Sequence, residues 1–262
     1  MSALIAHRRG AGEPLVLLHG LGLSWRCWTP LLAGLERVHV VVAMDLPGFG
    51  DARPLTGRPT VRALTDAVED ALDEAGLGTV HVAGNSLGGW VSLELARRGR
   101  ARSVVALSPA GMETAAERAY VISLNEAMRL RAKAAAPVAG RLARSRAARI
   151  AVLGPMRARP WRLPAAEAAA EVRAFARSPA FQATVRYTIA TAVPVGMGSI
   201  AVPARICFGT RDVLLAPLTA PRYAAAVSGA DLRPLPGCGH VPMADDPSRV
   251  TGAITGLTTG GA

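Results

Sequence analysis

The segment Gly84-Asn85-Ser86-Leu87-Gly88 places a serine between two glycines, where a short apolar run (79–83) gives way to a helical pattern (89–98). A sharp strand-to-helix turn strains its central residue and crowds the neighbours, so glycine suits both flanks. We therefore expect the Ser86 hydroxyl to stand above the end of a strand as a nucleophile. The backbone amide of Leu87, at the start of the helix, should face the same space and favour developing negative charge.

A serine is a weak nucleophile at neutral pH and needs a base, which in turn needs an orienting acid. Downstream of Ser86, Asp212 follows a predicted strand that ends at Phe208, and His240 follows the last predicted strand. The order Ser, Asp, His matches one serine-hydrolase architecture. We predict Ser86 as nucleophile, His240 as base and Asp212 as orienting acid.

Each of these residues also has a purely structural interpretation. The GxSxG pattern alone also occurs in ordinary glycine-rich turns, Asp212 could cap a helix, and His240 could be a packing residue. Asp245 and Asp246 are rival acids, but they follow the histidine too closely to reach behind its ring. Asp45 adjoins a Pro-Gly turn and is not preferred. Agreement of motif, order and strand-end position favours the triad.

An oxyanion hole requires a second backbone donor besides Leu87. The amide of Leu21 is the expected one, because it follows His19-Gly20 at the end of a buried strand. His19 is then expected to be structural, with its ring fixing this loop by hydrogen bonds.

Apolar runs of strand length alternate with helical patterns through most of the chain. The strand-like runs are 14–18, 38–44, 79–83, 102–108, 204–209 and 231–235. Continuous apolar strands separated by helices predict an α/β fold with a mostly parallel sheet covered on both faces. Between 111 and 198 only helical patterns and prolines occur. We therefore predict a core from 1–110 and 199–262, with 111–198 inserted as a helical cap over Ser86.

The composition indicates a soluble globular protein. Half of the 262 residues are apolar, yet no apolar run reaches membrane-spanning length, and the first residues lack the order of a secretory signal. The three cysteines form no C-x-x-C pair, which argues against a disulfide framework. We expect a cytoplasmic protein without stable membrane anchoring, and no metal or other cofactor.

The net charge of +11 reflects an arginine-rich chain with a single lysine. Between Ala127 and Ala166 there are ten basic residues and no acidic residue. A solvated helix face is the favoured interpretation; acidic substrates, anionic lipid or another partner are the alternatives. No nucleic-acid partner is expected, because no aromatic residues interleave with the charge.

The chain resembles the α/β-hydrolase superfamily over essentially its whole length. The segments that carry the resemblance are His19-Gly20-Leu21-Gly22, Asp45-Leu46-Pro47-Gly48-Phe49-Gly50, Gly84-Asn85-Ser86-Leu87-Gly88-Gly89, Gly209-Thr210-Arg211-Asp212 and Gly239-His240-Val241-Pro242. The resemblance implies the same triad, the Leu21 and Leu87 amides as oxyanion donors, and a helical cap. These motifs are specific for the fold and not for a substrate.

Two departures from the motifs of particular enzyme groups in this superfamily narrow the range of expected activities. A haloalkane dehalogenase or epoxide hydrolase of this superfamily would carry Asp where Ser86 stands. The meta-cleavage carbon–carbon hydrolases usually have Trp after the catalytic histidine, where this chain has Val241. The sequence thus favours a carboxylic-ester or thioester hydrolase that forms an acyl-enzyme on Ser86.

The expected substrate is a small molecule with an apolar acyl or aromatic group. The predicted pocket residues besides Leu21 are Leu23, Met128, Trp161 and Met243. One alternative is a carbon–carbon bond hydrolase or a cofactor-free biosynthetic enzyme that uses the same triad. Another is a ligand receptor that has kept the fold without the chemistry. The acyl group, the leaving group and the oligomeric state are not specified by the sequence.

Overall fold

A computed structural model describes residues 3–191, 193–215 and 219–259. Seven strands form one sheet in the order β1-β3-β2-β4-β5-β6-β7. Their bounds are β1 Ile5–Gly10, β2 Glu13–Leu18, β3 His39–Met44, β4 Val80–Asn85, β5 Ala101–Leu107, β6 Ala204–Gly209 and β7 Asp231–Leu235. Only β1 is antiparallel, to β3; each other neighbouring pair is parallel.

Helices connect the parallel strands and cover the sheet. Their bounds are α1 Thr29–Leu35, α2 Val61–Glu74, α3 Leu87–Arg97, α4 Ala115–Ala135, α5 Ala139–Leu142, α6 Arg146–Leu153, α7 Ala165–Arg177, α8 Phe181–Thr184, α9 Ala220–Ala226 and α10 Pro247–Thr258. Every residue of β4 is buried, as expected for a central strand with helices on both faces. The predicted α/β fold with a mostly parallel sheet covered by helices is confirmed.

The parallel arrangement brings functional loops to one edge of the sheet. Strands β2, β4, β6 and β7 all run in the same direction, so the residues after their carboxyl ends meet there. Leu21 follows β2, Ser86 follows β4, Asp212 follows β6 and His240 follows β7. The four predicted catalytic loops therefore share one edge, although they are far apart in sequence.

One helix differs from its predicted extent. The pattern predicts a single helix from Trp25 to Leu35, whereas the structure has a 3₁₀ turn over Trp25–Trp28 followed by α1. Pro30, in the first turn of α1, has no backbone N–H to donate to a preceding carbonyl, which favours a new helix start at this point.

The segment between β5 and β6 contains α4 to α8, and its described residues include no strand. Helix α4 begins with a capping box in which Thr114 accepts from the Glu117 amide. Glu117 also pairs with Arg222 at 2.6 Å, and hydrogen bonding to that guanidinium lowers the Glu117 pKa to about 2. The core and cap boundaries remain a prediction; residues 1–2, 192, 216–218 and 260–262 of the predicted segments lie outside the described residues.

In the part of the chain that the structure describes, no helix combines the length and apolar character needed to cross a bilayer.

Candidate active site

Ser86 lies at a tight turn between β4 and α3. Its backbone angles, φ 55° and ψ −116°, are strained for a residue with a side chain. A Cβ on Gly84 would lie 2.1 Å from the Gly88 carbonyl oxygen, and a Cβ on Gly88 would lie 2.3 Å from the Leu18 carbonyl oxygen. The turn therefore requires glycine at both flanks, because any side chain there would overlap backbone atoms.

His240 and Asp212 form a direct hydrogen bond. The His240 Nδ1–H donates to Asp212 Oδ2 at 2.9 Å, and both side chains are almost fully buried. The other carboxylate oxygen, Oδ1, accepts from the amides of Leu214 and Leu215 at 2.9 and 2.8 Å. These contacts fix the carboxylate behind the imidazole and leave Nε2 as the ring nitrogen available for a proton.

The loops that carry this pair approach each other closely. A Cβ on Gly209 would lie 2.3 Å from the Gly239 carbonyl oxygen, so only glycine allows the approach. The Arg211 amide donates to the Cys238 carbonyl at 2.9 Å, and the Gly237 amide donates to Thr210 Oγ1 at 2.9 Å. The acid and the base are thus held by backbone contacts between their own loops.

Ser86 and His240 line the same cavity, whose volume is about 20 Å³. Asn85, the residue before the serine, ties the two loops together through its Nδ2, which donates to the His240 carbonyl at 2.9 Å and to the Leu107 carbonyl at 3.1 Å. The structure therefore brings Ser86, Asp212 and His240 to one place. Neither the role of Asn85 nor its buried contact was predicted from the sequence.

The loop after β2 lies against the serine. A Cβ on Gly20 would lie 3.2 Å from the Ser86 Cβ, and Leu21 lines the cavity. His19 fixes this loop: its Nδ1–H donates to the Gly20 carbonyl at 2.8 Å, and its Nε2 accepts from the Leu46 amide at 2.9 Å. Burial of the ring lowers the pKa of His19, which suits the neutral tautomer these bonds require.

The Leu87 amide is the first of helix α3, a position that has no acceptor within the helix. Within the described residues, the Leu21 amide likewise has no hydrogen-bond acceptor. Two amides near Ser86 are thus without an acceptor in the described residues and could donate to a developing oxyanion. This assignment remains a proposal.

The cavity is lined mainly by apolar side chains from the loops after the strands and from the segment between β5 and β6. Its apolar lining residues are Leu21, Leu23, Ala110, Val121, Met156, Phe175, Ile189, Leu214, Leu215 and Val241. Asn125 of α4 is the polar side chain that the cap contributes, and its Nδ2 donates to the Val121 carbonyl at 2.9 Å. Helical periodicity identifies apolar faces in the cap but not which of them meets Ser86.

Of the predicted pocket residues, Leu21 and Leu23 line the cavity, whereas Met128, Trp161 and Met243 do not. Met128 and Met243 are buried in the apolar core. Trp161 packs under the guanidinium of Arg146, 4.4 Å from Cζ to the ring centroid. These three side chains pack elsewhere in the structure, and a substrate-binding role for them stays a prediction.

A segment of the cap is clamped to the His240 loop by buried polar contacts. Asp245 accepts from the amides of Gly239, Ala158 and Arg159 at 2.8, 2.9 and 2.7 Å. The fully buried guanidinium of Arg157 donates to the Val241 carbonyl at 3.0 Å and pairs with Glu171 at 2.6 Å. Asp245, considered from the sequence only as a rival acid, therefore binds loop backbone and does not contact the His240 ring.

Replacing Asp245 by asparagine should lower the free energy of unfolding by about 2–3 kcal/mol. The three amides contact both carboxylate oxygens, and asparagine offers only one acceptor oxygen. The matched control is Asp246→Asn, since Asp246 caps α10 through the Arg249 amide and asparagine is an equally good cap. Urea denaturation of both variants measures the difference, and equal stabilities would contradict the clamp.

Cys238 lies two residues before His240 but is not a competing nucleophile. Burial raises the pKa of its thiol to about 11, so it is protonated at neutral pH. Among the residues that the structure describes, no group of three or more histidine, cysteine or acidic side chains is arranged to hold a metal ion.

Three comparisons relate this chain to known proteins. The sequence profile of the alpha/beta hydrolase family matches residues 15–253. The chain is 35% identical over 200 residues to epoxide hydrolase EphH of Mycobacterium tuberculosis, covering 73% of this chain and 92% of that protein. It is 28% identical to the (E)-2-((N-methylformamido)methylene)succinate hydrolase of Acinetobacter baylyi, over 46% of this chain and 47% of that protein.

Among solved structures, a bacterial membrane phospholipase A superposes with a TM-score of 0.77 at 23% identity, covering 97% of this chain and 81% of that chain. At this identity the likeness shows the fold alone.

Proposed function

The chain belongs to the alpha/beta hydrolase family, and from this premise we propose that it hydrolyses a carboxylic ester or thioester of an apolar small molecule through an acyl-enzyme on Ser86. The observation that carries the proposal is the 2.9 Å hydrogen bond from His240 to Asp212 beside the cavity that Ser86 lines. Serine, imidazole and carboxylate in this relation are the components of nucleophilic acyl transfer.

In the proposed reaction, His240 Nε2 accepts the Ser86 proton while Oγ attacks the carbonyl carbon. The negative charge that develops on the carbonyl oxygen is stabilised by the Leu21 and Leu87 amides, each worth about 10²–10³ in kcat. The protonated imidazole, stabilised by Asp212, returns the proton to the leaving alcohol or thiol. Water, deprotonated by the same nitrogen, then releases the acid and restores the serine.

The serine nucleophile distinguishes the proposed reaction from epoxide hydrolysis, the activity for which the Mycobacterium tuberculosis relative is named. Attack of a carboxylate on an epoxide forms an ester, whose carbonyl water can attack. Attack of Ser86 on an epoxide would form an ether, which has no carbonyl and would end the reaction with a modified enzyme. A serine nucleophile therefore favours acyl substrates over epoxides for this chain.

The cavity supports a substrate with an apolar acyl or aromatic group, since its walls are apolar except near the triad and at the two amide side chains of Asn85 and Asn125. A volume of about 20 Å³ holds little more than a water molecule. Substrate entry therefore requires some of the lining side chains to move away from the serine.

Labelling with a fluorophosphonate probe tests the nucleophile. We expect one label per chain, located on Ser86 by peptide mass spectrometry, because only an activated serine attacks phosphorus rapidly. Ser86→Ala should abolish labelling and hydrolysis of short p-nitrophenyl esters. The matched control is Ser199→Ala, an exposed serine whose Oγ bonds the Gly196 carbonyl; it should change neither. Full ester turnover by Ser86→Ala would exclude the proposed role.

A substrate panel then separates the candidate reactions. Short esters and thioesters are expected to turn over, whereas styrene oxide should not. Carbon–carbon cleavage, the alternative that keeps the same triad, would be indicated by turnover of a vinylogous diketone in place of the esters.

A further inference from the structure

The outer face of the cap carries an exposed apolar stripe. Leu130 is 56% exposed and Val138 is 49% exposed, at the end of α4 and in the turn that follows it. Their spacing places them on one side of the helical run with two smaller exposed residues. We call this set the cap stripe: Leu130, Ala134, Pro137 and Val138. The opposite side of α4, with Met128 and Ala132, is buried.

Exposed cations flank the cap stripe. The cap cations are Arg131, Lys133, Arg141 and Arg144, and all are exposed. Within the described residues, none of them makes a hydrogen bond or an ion pair within 4 Å through its side chain. Other arginines of the same segment are engaged, such as Arg129 with Glu126 and Arg157 with Glu171. Partners within the protein therefore account for some of the basic residues but not for those beside the stripe.

A solvated helix face explains the cations but not the apolar side chains between them. Scattered exposed apolar residues are ordinary, whereas several at helical spacing on one face indicate a surface that is covered at times. Glu126, one helical turn before Leu130, is paired with Arg129, whereas the cap cations have no such partner within the described residues, so the complementary surface is anionic. It must also accept apolar side chains, which the phosphate backbone of a nucleic acid does not. An anionic bilayer meets both requirements.

We propose that the cap stripe and the cap cations dock reversibly on an anionic phospholipid bilayer. The apolar side chains enter the headgroup region, and the guanidinium and ammonium groups contact lipid phosphates. Such docking is peripheral and requires no membrane-spanning helix.

Docking would also bring the substrate cavity close to the lipid. Helix α4 carries the cap stripe near its end and, earlier, Val121 and Asn125 of the cavity wall. An amphiphilic ester in the bilayer would then lie near the helix whose other side chains form part of the cavity wall. This consequence rests on the proposed function, whereas the docking itself does not.

Sedimentation with vesicles of phosphatidylcholine, with or without about 30% phosphatidylglycerol, tests the electrostatic part. We expect binding only to the anionic vesicles, and an affinity about 100-fold lower for the triple variant Arg131→Gln, Lys133→Gln, Arg141→Gln. The control triple Arg8→Gln, Arg9→Gln, Arg53→Gln removes the same charge from exposed positions of the core. This control variant should lose less than about 3-fold in affinity for the anionic vesicles.

The apolar part is tested by Leu130→Ser with Val138→Ser, which should weaken vesicle binding about 10-fold further. The control pair is Val38→Ser with Leu232→Ser, which are 43% and 37% exposed on the core. The proposal is overturned if the wild-type protein does not bind anionic vesicles at about 50 mM salt. It is equally overturned if the two triple charge variants lose the same amount of vesicle affinity. It is also overturned if the double variant Leu130→Ser with Val138→Ser leaves vesicle binding unchanged, or if the only effect of that variant is to dissociate a dimer.

The chemistry at Ser86 is assayed separately. Ser86→Ala should bind vesicles like the wild type, while the cap variants should keep full turnover of a soluble short ester. A protein that docks but never hydrolyses esters would overturn only the proposed function. A protein that hydrolyses soluble esters but does not dock would overturn only this inference.

Discussion

Replacing Asp212 by asparagine is expected to lower kcat for ester hydrolysis by about 10³–10⁴-fold while the fold is kept. Asp212 Oδ1 accepts from two backbone amides, those of Leu214 and Leu215. The single oxygen of asparagine must take that position, so its NH₂ group would face His240. The ring would then accept at Nδ1 and carry its proton on Nε2, where it could not take the proton of Ser86.

Steady-state kinetics with a soluble p-nitrophenyl ester, together with thermal denaturation, measures this effect. Asp246→Asn is the control, because Asp246 is an acid close to His240 in sequence that caps α10 and does not contact the ring. It should keep kcat within about 2-fold, as expected for a substitution outside the triad. Activity of Asp212→Asn within about 10-fold of the wild type would show that another group orients the histidine.

Replacing Gly88 by alanine should lower the free energy of unfolding by more than about 3 kcal/mol, or prevent folding altogether. The added Cβ would lie 2.3 Å from the Leu18 carbonyl oxygen and 2.5 Å from that of His19. Both are backbone atoms of a buried strand and its loop, which cannot rotate away. Helix α3 would have to shift from the sheet and carry Ser86 with it.

A glycine-to-alanine substitution at an uncrowded helix position should instead raise the free energy of unfolding. Gly252 lies within α10, and a Cβ added there would meet no neighbouring atom within 4 Å, so Gly252→Ala is expected to raise stability by about 0.5–1 kcal/mol. Urea denaturation of the two variants tests the pair. A tolerated Gly88→Ala would mean that the close contact between α3 and β2 is not a requirement of the fold.

Much of the fold follows from local sequence pattern. Continuous apolar runs predicted the buried parallel strands, and the predicted run 204–209 coincides with β6. These elements depend on side-chain periodicity within a few residues, which tertiary contacts reinforce here and do not override. The positions of Ser86, Asp212 and His240 were also predictable, because parallel strands place their carboxyl-terminal loops at one edge of the sheet.

The interior of the site was decided by contacts between distant segments. Met128 and Trp161 were predicted to line the pocket, yet Met156 and Phe175 line the cavity instead. A periodic pattern reports that a helix has an apolar face, but the rotation of that face toward the core or a neighbouring helix depends on packing. The clamp formed by Asp245 and the tie from Asn85 to the His240 carbonyl join residues far apart in the chain.

The sequence by itself thus determined the strands, the order of the chemical groups and the turn that holds the serine. Each of these is a property of a short segment with its own steric and periodic constraints. Tertiary structure alone decided which side chains of the segment between β5 and β6 line the cavity beside Ser86, and which of its apolar residues stay exposed. Both outcomes depend on how whole helices pack, because identical apolar residues are buried or exposed according to the neighbour they meet.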